Sequence, residues 1–170
     1  IYTSGTQGNP KGVILSHGGI LNNCEGALDI LKPLITNQTR FLTWLPLSHS
    51  YEHTVQFVQI SIGAKVFYAE SIEKLIKNMS ECKPQLMTAV PRFYQNLYQK
   101  INASFNKATG LRKKLILNML ELGKKKILKQ NLSFLEKIMD NLLDKIVRKK
   151  IKAQFGGELK TFVSGGGALD

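Results

Sequence analysis

Residues 2–12 read Tyr-Thr-Ser-Gly-Thr-Gln-Gly-Asn-Pro-Lys-Gly, a loop dense in glycine and hydroxyl groups and carrying one lysine. Such a composition suits a loop that holds phosphate. Gly5, Gly8 and Gly12 permit positive φ and present no Cβ, so backbone N–H groups can converge on an anion. Thr3, Ser4 and Thr6 add short hydroxyl donors, and Lys11 adds a compact charge on a flexible stem. A Walker loop requires Gly-x-x-x-x-Gly-Lys-[Ser/Thr], whereas here Pro10 precedes the lysine and Gly12 follows it, which disfavours a P-loop NTPase. Glycine-, serine- and threonine-rich loops are also ordinary turn chemistry. The ordered density of phosphate-contacting and backbone-shaping residues argues for the more specific reading.

Outward from this loop, short apolar runs alternate with helical patterns. Val13-Ile14-Leu15 reads as a strand, and a helix follows over residues 20–31, with Ser16 as its N-cap, Leu21, Cys24, Leu28 and Leu31 along one face, and Pro33 as its stop. Residues 40–47 read as a strand, with Ser48-His49-Ser50-Tyr51-Glu52 as the turn after it. A helix through Val58, a strand over 64–68, a helix over 72–79, a strand over 86–90 and a helix over 92–101 continue the alternation. This spacing predicts an α/β fold with a mostly parallel sheet flanked by helices. From Leu111 to Lys152 the pattern changes to long helices broken near Asn131-Leu132-Ser133. Leu135, Ile138, Met139, Leu142 and Ile146 form the expected packed stripe there, with Lys137, Asn141, Lys145 and Arg148 turned away. Gly156-Gly157 stops the helices, and residues 159–163 return to strand.

The net charge of +12 is concentrated: residues 100–160 carry 16 Lys/Arg against five Asp/Glu, a net of +11. Three readings suit this segment: solvated amphipathic helices, a face for anionic lipid, or a nucleic-acid surface. Its only aromatic residues are Phe105, Phe134 and Phe155, too few for the stacking platforms of a single-strand binder, so nucleic acid is disfavoured. Cys24 and Cys82 read as idle thiols, and His17, His49 and His53 lack the spacing of a zinc motif. No apolar run reaches the length of a membrane span and no signal-peptide pattern is present, which predicts a cytoplasmic protein whose contact with membranes, if any, is peripheral. Ile1-Tyr2 reads as the tail of a strand and the run before Asp170 as another strand entering a turn, so the expectation is an internal piece of a larger protein.

The opening loop resembles the signature Tyr-Thr-Ser-Gly-Thr-Thr-Gly-x-Pro-Lys-Gly of the adenylate-forming superfamily, which includes acyl-CoA synthetases, peptide-synthetase adenylation domains and firefly luciferase; Gln7 is the only departure. Leu45-Pro46-Leu47-Ser48-His49-Ser50-Tyr51-Glu52 is similar to the Leu-Pro-Leu-Ala-His-x-Phe-Glu stretch of the long-chain acyl-CoA synthetases. Val90-Pro91-Arg92-Phe93-Tyr94 resembles their Val-Pro-Arg-x-Tyr element. Ser164-Gly165-Gly166-Gly167-Ala168-Leu169 resembles the family's Ser-Gly-Gly-Ala-Pro-Leu, with Gly167 for Ala and Ala168 for Pro. A helical insertion between these last two elements is likewise similar to the long-chain enzymes, and favours lipid over nucleic acid for the basic helices.

The resemblance implies a fragment of the AMP-binding N-terminal domain, divided into a phosphate-loop and α/β part (1–101), a basic helical insertion (102–155) and a strand with its glycine turn (156–170), without the C-terminal domain. The implied activity is that of a long-chain fatty acid–CoA ligase, converting fatty acid, ATP and coenzyme A through acyl-AMP with Mg²⁺. By the same resemblance, Thr3, Ser4, Gly5, Thr6, Gly8 and Lys11 bind the ATP phosphates, Thr3 ligates Mg²⁺, His49 stands at the reacting carboxylate, Tyr51 lines the acyl pocket, and Gly165, Gly166 and Gly167 lie against adenine. The family's Tyr-Gly-x-Thr-Glu run, ribose-binding Asp and C-terminal lysine are absent, so the fragment alone is expected to be inactive. The alternatives are a ligase for a medium-chain, short-chain or aromatic acid and, in a different class, a non-catalytic basic module that binds membrane or nucleic acid.

Overall fold

A computed structural model describes residues 1–3 and 8–168, so Ser4, Gly5, Thr6 and Gln7 lie outside the described residues. Four strands, β1 (Arg40–Thr43), β2 (Lys65–Tyr68), β3 (Leu86–Ala89) and β4 (Thr161–Ser164), form one sheet in the order β2-β1-β3-β4. Every pairing is parallel, with Phe41 opposite Val66 and Leu86, and Met87 opposite Phe162. The expected α/β architecture is therefore present. β3 is buried on both faces and β1 nearly so, as parallel strands between helical layers require.

Alternation along the strands sends side chains to two different layers. Leu42, Met87 and Phe162 pack with Leu75 and Met79 of α3 (Leu75–Cys82), joined by Phe93 of α4 (Pro91–Asn106). Phe41, Leu86 and Val163 face the other way, toward α1 (His17–Leu31) and α2 (Ser50–Ser61). Ser16 caps α1 by accepting from the Gly19 N–H, as its position predicts. Trp44, just past β1, donates its indole N–H to the Thr88 carbonyl at 2.8 Å and packs on Phe93 with ring centroids 5.2 Å apart.

Two sequence expectations fail here for identifiable reasons. Val13-Ile14-Leu15 forms no strand: only Val13 is paired, with Ile1, and Ile14 is 97 % exposed. β1 stops at Thr43 rather than running to Leu47, because Pro46 has no N–H for the ladder and accepts instead from His49 N–H, closing a turn.

The basic segment folds as α5 (Gly110–Ile127), α6 (Phe134–Leu143), a π-helical turn (Asp144–Arg148) and α7 (Lys149–Gln154), while α4 already crosses the expected boundary at residue 101. Its core is Met119, Leu122 and Leu143, with Met139 and Val147 packed alongside. The predicted stripe on α6 is thus displaced: Leu135 is 76 % exposed and Ile138 52 %, with Leu142 and Ile146 also outward. Asp140 redirects the helix. It is buried against α5 and held by Arg148 at 2.7 Å and by Lys126. The Arg148 guanidinium keeps its carboxyl below the usual carboxylate range. Ser133 and Glu136 close a capping box at the start of α6.

Gly156 and Gly157 end α7 at φ +82° and +79°. A Cβ on Gly156 would stand 2.4 Å from the Met79 carbonyl oxygen and 2.7 Å from Lys83 Cα, whereas one on Gly157 would meet nothing within 4 Å. In the full-length protein, Gly156→Ala is expected to cost roughly 2–4 kcal/mol in chemical denaturation and Gly157→Ala only about 1 kcal/mol. Equal costs would show that the return from the insertion is not pinned to α3.

Candidate active site

The chain passes from β1 outward to β2, then back across β1 to β3 and on to β4, so the strand order reverses between β1 and β3. Ligands of open parallel sheets bind beyond the C-terminal strand ends at such a reversal. On that edge stand the His49 turn after β1, Val90-Pro91 after β3 and Gly165-Gly166-Gly167 after β4.

His49 is the N-cap of α2: its Nδ1 accepts from the Tyr51 N–H at 3.2 Å. In the neutral ring this places the proton on Nε2, which is left for a ligand. His49, Ser48 and Ser50 line a cleft of about 700 Å³ together with Tyr2, Thr3, Val13 and Pro46. The two limbs of the glycine-rich loop are paired antiparallel there, with Thr3 N–H donating to the Lys11 carbonyl at 2.9 Å and Tyr2 bridged to Gly12. Thr3 Oγ1 also accepts from the Lys11 N–H at 3.0 Å, which leaves one lone pair and the hydroxyl proton for a ligand. Gly8 sits at φ +150°, a backbone conformation that L side chains rarely adopt. The structure therefore brings Thr3 and His49 to one cleft, with Lys11 exposed on the adjoining limb.

Tyr51 faces away from that cleft. Its hydroxyl donates to the Val163 carbonyl at 2.7 Å, and its ring lies where a Cβ on Gly165 would be, 2.3 Å from Cε2. The flat ring that Gly165 accommodates is thus the protein's own. Gly166, at φ +78°, and Gly167 turn instead beside Val90 and Pro91. Burial, reinforced by Glu52 and Tyr94, pushes the Tyr51 phenol up to about 12, so it stays a donor. Tyr51, Thr54, Val55 and Val58 also wall a cavity of about 480 Å³ between α1, α2 and the sheet, where Ala27, Ile30, Leu31, Phe41, Leu86 and Val163 supply apolar surface. The first turn of α2 lines both spaces, with His49 and Ser50 at the cleft and Tyr51 and Thr54 at the cavity.

Sequence reasoning missed the polar layer beneath that turn. Glu52 is fully buried, and its Oε2 accepts from the Thr88 hydroxyl at 2.7 Å. Gln59, also buried, donates to Thr43 Oγ1 at 3.2 Å. Glu52 Oε1 and Gln59 Oε1 have no hydrogen-bond partner among the described residues, and each unmet acceptor costs about 1–3 kcal/mol. Burial pushes the Glu52 carboxyl up, against the opposing effect of the Thr88 and Thr43 hydroxyls. The available signal was a hydroxyl in the same place on two adjacent strands, Thr43 and Thr88, opposite a carboxylate and an amide seven residues apart on one helix face.

In the full-length protein, Gly165→Ala is expected to cost roughly 1–3 kcal/mol by forcing the Tyr51 ring aside. The same substitution on a Tyr51→Ala background should cost less than about 0.5 kcal/mol, since no ring is displaced. Unfolding curves giving the same cost on both backgrounds would place the constraint elsewhere.

The profile of the family described as "AMP-binding enzyme" matches residues 1–170. The chain is 32 % identical over 167 residues to mouse long-chain-fatty-acid–CoA ligase 5, covering 96 % of this chain and 23 % of the relative. It is 31 % identical over 173 residues to long chain acyl-CoA synthetase 4 of Arabidopsis thaliana, covering 99 % of this chain and 26 % of the relative. Among solved structures it resembles o-succinylbenzoate CoA synthetase from Bacillus subtilis in complex with the acyl-adenylate intermediate OSB-AMP, with a TM-score of 0.51 and 26 % identity over 59 % of this chain and 21 % of that one. The chain spans about a quarter of the length of the curated relatives it matches. With this agreement over its whole length, and with the loop, the His49 turn and the glycine turn gathered at one sheet edge, the chain belongs to the AMP-binding, adenylate-forming enzyme family.

Proposed function

We propose that the full-length protein is a long-chain fatty acid–CoA ligase. A fatty carboxylate attacks the α-phosphate of ATP to give acyl-AMP and pyrophosphate, and the thiol of coenzyme A then displaces AMP. Two anions must meet in the first step, so positioning and charge neutralisation carry most of the catalysis. Thr3, Ser4, Gly5, Thr6, Gly8 and Lys11 hold the departing phosphates. Thr3 offers a hard oxygen lone pair suited to Mg²⁺, which when bound neutralises phosphate charge. His49 presents its Nε2 proton to the reacting carboxylate, Tyr51 stands at the acyl chain, and Gly166 and Gly167 lie beside adenine with Gly165 supporting the turn.

The observation that favours the long-chain reading over a short or aromatic acid is the similarity to long-chain ligases along nearly the whole chain, and the cavity behind Tyr51, of a size that suits a small-molecule ligand, is where we place the acyl group. Membership of an enzyme family favours this reading over a non-catalytic scaffold. The test is pyrophosphate release by the full-length protein with MgATP, coenzyme A and acids from acetate to oleate. Release should rise with chain length and fall at least a hundredfold in Lys11→Ala. Gly26 borders the cavity, and a Cβ there would meet nothing within 4 Å. Gly26→Leu should therefore lower turnover of oleate while sparing octanoate. Release that is indifferent to chain length would overturn the long-chain assignment.

The same reading includes peripheral contact with an anionic bilayer through α6. The outward Leu135, Ile138 and Leu142 of α6 and Ile146 of the π-helical turn stand on a stretch that also carries Lys137, Lys145 and Lys149, and each lysine near such a surface contributes about 1 kcal/mol. No helix among the described residues is long and apolar enough to cross a membrane. The full-length protein should co-sediment with vesicles containing phosphatidylserine but not with pure phosphatidylcholine, and Lys137→Glu with Lys145→Glu should release it. Sedimentation unaffected by this pair would remove α6 from the contact.

A further inference from the structure

Two glutamates occupy the third position of a helix in this chain, and they behave oppositely. Glu136 of α6 reaches back to the Ser133 N–H in a capping box, the ordinary arrangement for that position. Glu52 of α2 instead turns inward to the Thr88 hydroxyl, although it leaves one oxygen without a donor. The capping task at α2 falls to the His49 imidazole. The register of Phe41 with Leu86 and Leu42 with Met87 sets Thr43 beside Thr88, so the inward carboxylate lies over the β1–β3 junction where the strand order reverses. It is the only carboxylate among the fully buried side chains of the described residues.

Three residues of this turn relate to three different parts of the sheet edge. Glu52 binds β3 through Thr88, Tyr51 binds β4 through Val163 and fills the space at Gly165, and His49 follows directly from the turn after β1. A helix held by apolar contacts alone slides and rotates by small amounts, whereas a charged or acid hydrogen bond at its first turn fixes both its axial position and its rotation. We infer that Glu52, through Thr88, is a positioning residue that sets the first turn of α2 and so holds His49 at the cleft and Tyr51 at the cavity. Glu52 itself touches no reactant. Its second oxygen, Oε1, meets no donor among the described residues.

This inference rests on the ligase reading, in which His49 and Tyr51 face the substrate. The test compares wild type, Glu52→Ala, Glu52→Gln, Thr88→Val and the Glu52→Ala/Thr88→Val pair in the full-length protein. Acyl-adenylate formation is followed by ATP–pyrophosphate exchange with oleate, with unfolding midpoints recorded alongside. Glu52→Ala and Thr88→Val should each lower kcat ten- to a hundredfold while the KM for ATP stays within twofold. The pair should lose no more than the worse single variant, and Glu52→Gln, which still accepts from Thr88, should keep kcat within threefold. Thr88→Val removes a single hydroxyl and decides the matter if Glu52→Ala fails to fold. A Thr88→Val or Glu52→Ala protein with wild-type kcat, or additive losses in the pair, would overturn the inference while exchange by wild type leaves the ligase reading intact. Absence of exchange in wild type with every acid would overturn both.

Discussion

The first turn of α2 must lie flat over the ends of three strands, and the contact that permits it is the Tyr51 ring occupying the space that Gly165 leaves empty. A side chain there would lift the ring, break its hydrogen bond to Val163 and tilt the helix away from the sheet. Both the cleft at His49 and the cavity behind Tyr51 take their walls from this turn, so their shapes follow from one packing event. Gly165 is therefore needed for close approach, while its neighbour Gly166 is needed for its left-handed backbone.

Beneath that turn the protein accepts a polar layer where an apolar one would be more stable. Glu52, Thr88, Thr43 and Gln59 are buried with two acceptors unmet, in a region where Phe41, Leu86 and Val58 continue an apolar core. Buried polar contacts contribute little net stability, but their direction is specific. On the opposite face of the sheet Leu42, Leu75, Met79 and Met87 form the core, and the buried polar group of α3, Asn78, has both ends of its amide paired with Glu70. The asymmetry matches the division of labour: the α3 side holds the sheet together and the α2 side aims residues at its edge.

Much of this was legible in the sequence. The glycine-rich loop, the His49 turn, the Val-Pro-Arg element and the glycine run were readable because turn chemistry and strand-end position are local properties. Their convergence on one edge follows from a parallel sheet, in which every C-terminal strand end points the same way. Three features were not legible. Val13 to Leu15 has the composition of a strand, but pairing with Ile1 reaches only Val13 and the ladder goes no further among the described residues. On α6 the apolar residues outnumber what one face can bury, and the Asp140 pairing with Lys126 and Arg148 decides which of them turns inward. Glu52 reads from the sequence as a turn residue, and its inward position depends on a hydroxyl 36 residues away on β3.

The account stands most directly on where an acyl-adenylate lies. A crystal structure of the full-length protein with a non-hydrolysable long-chain acyl-adenylate analogue would locate it. The account predicts that the acyl chain passes Tyr51 into the cavity between α1, α2 and the sheet, with adenine at Gly166 and Gly167 and His49 beside the acyl linkage. An acyl chain lying outside that cavity, or an adenylate away from the β1–β3 edge, would contradict it.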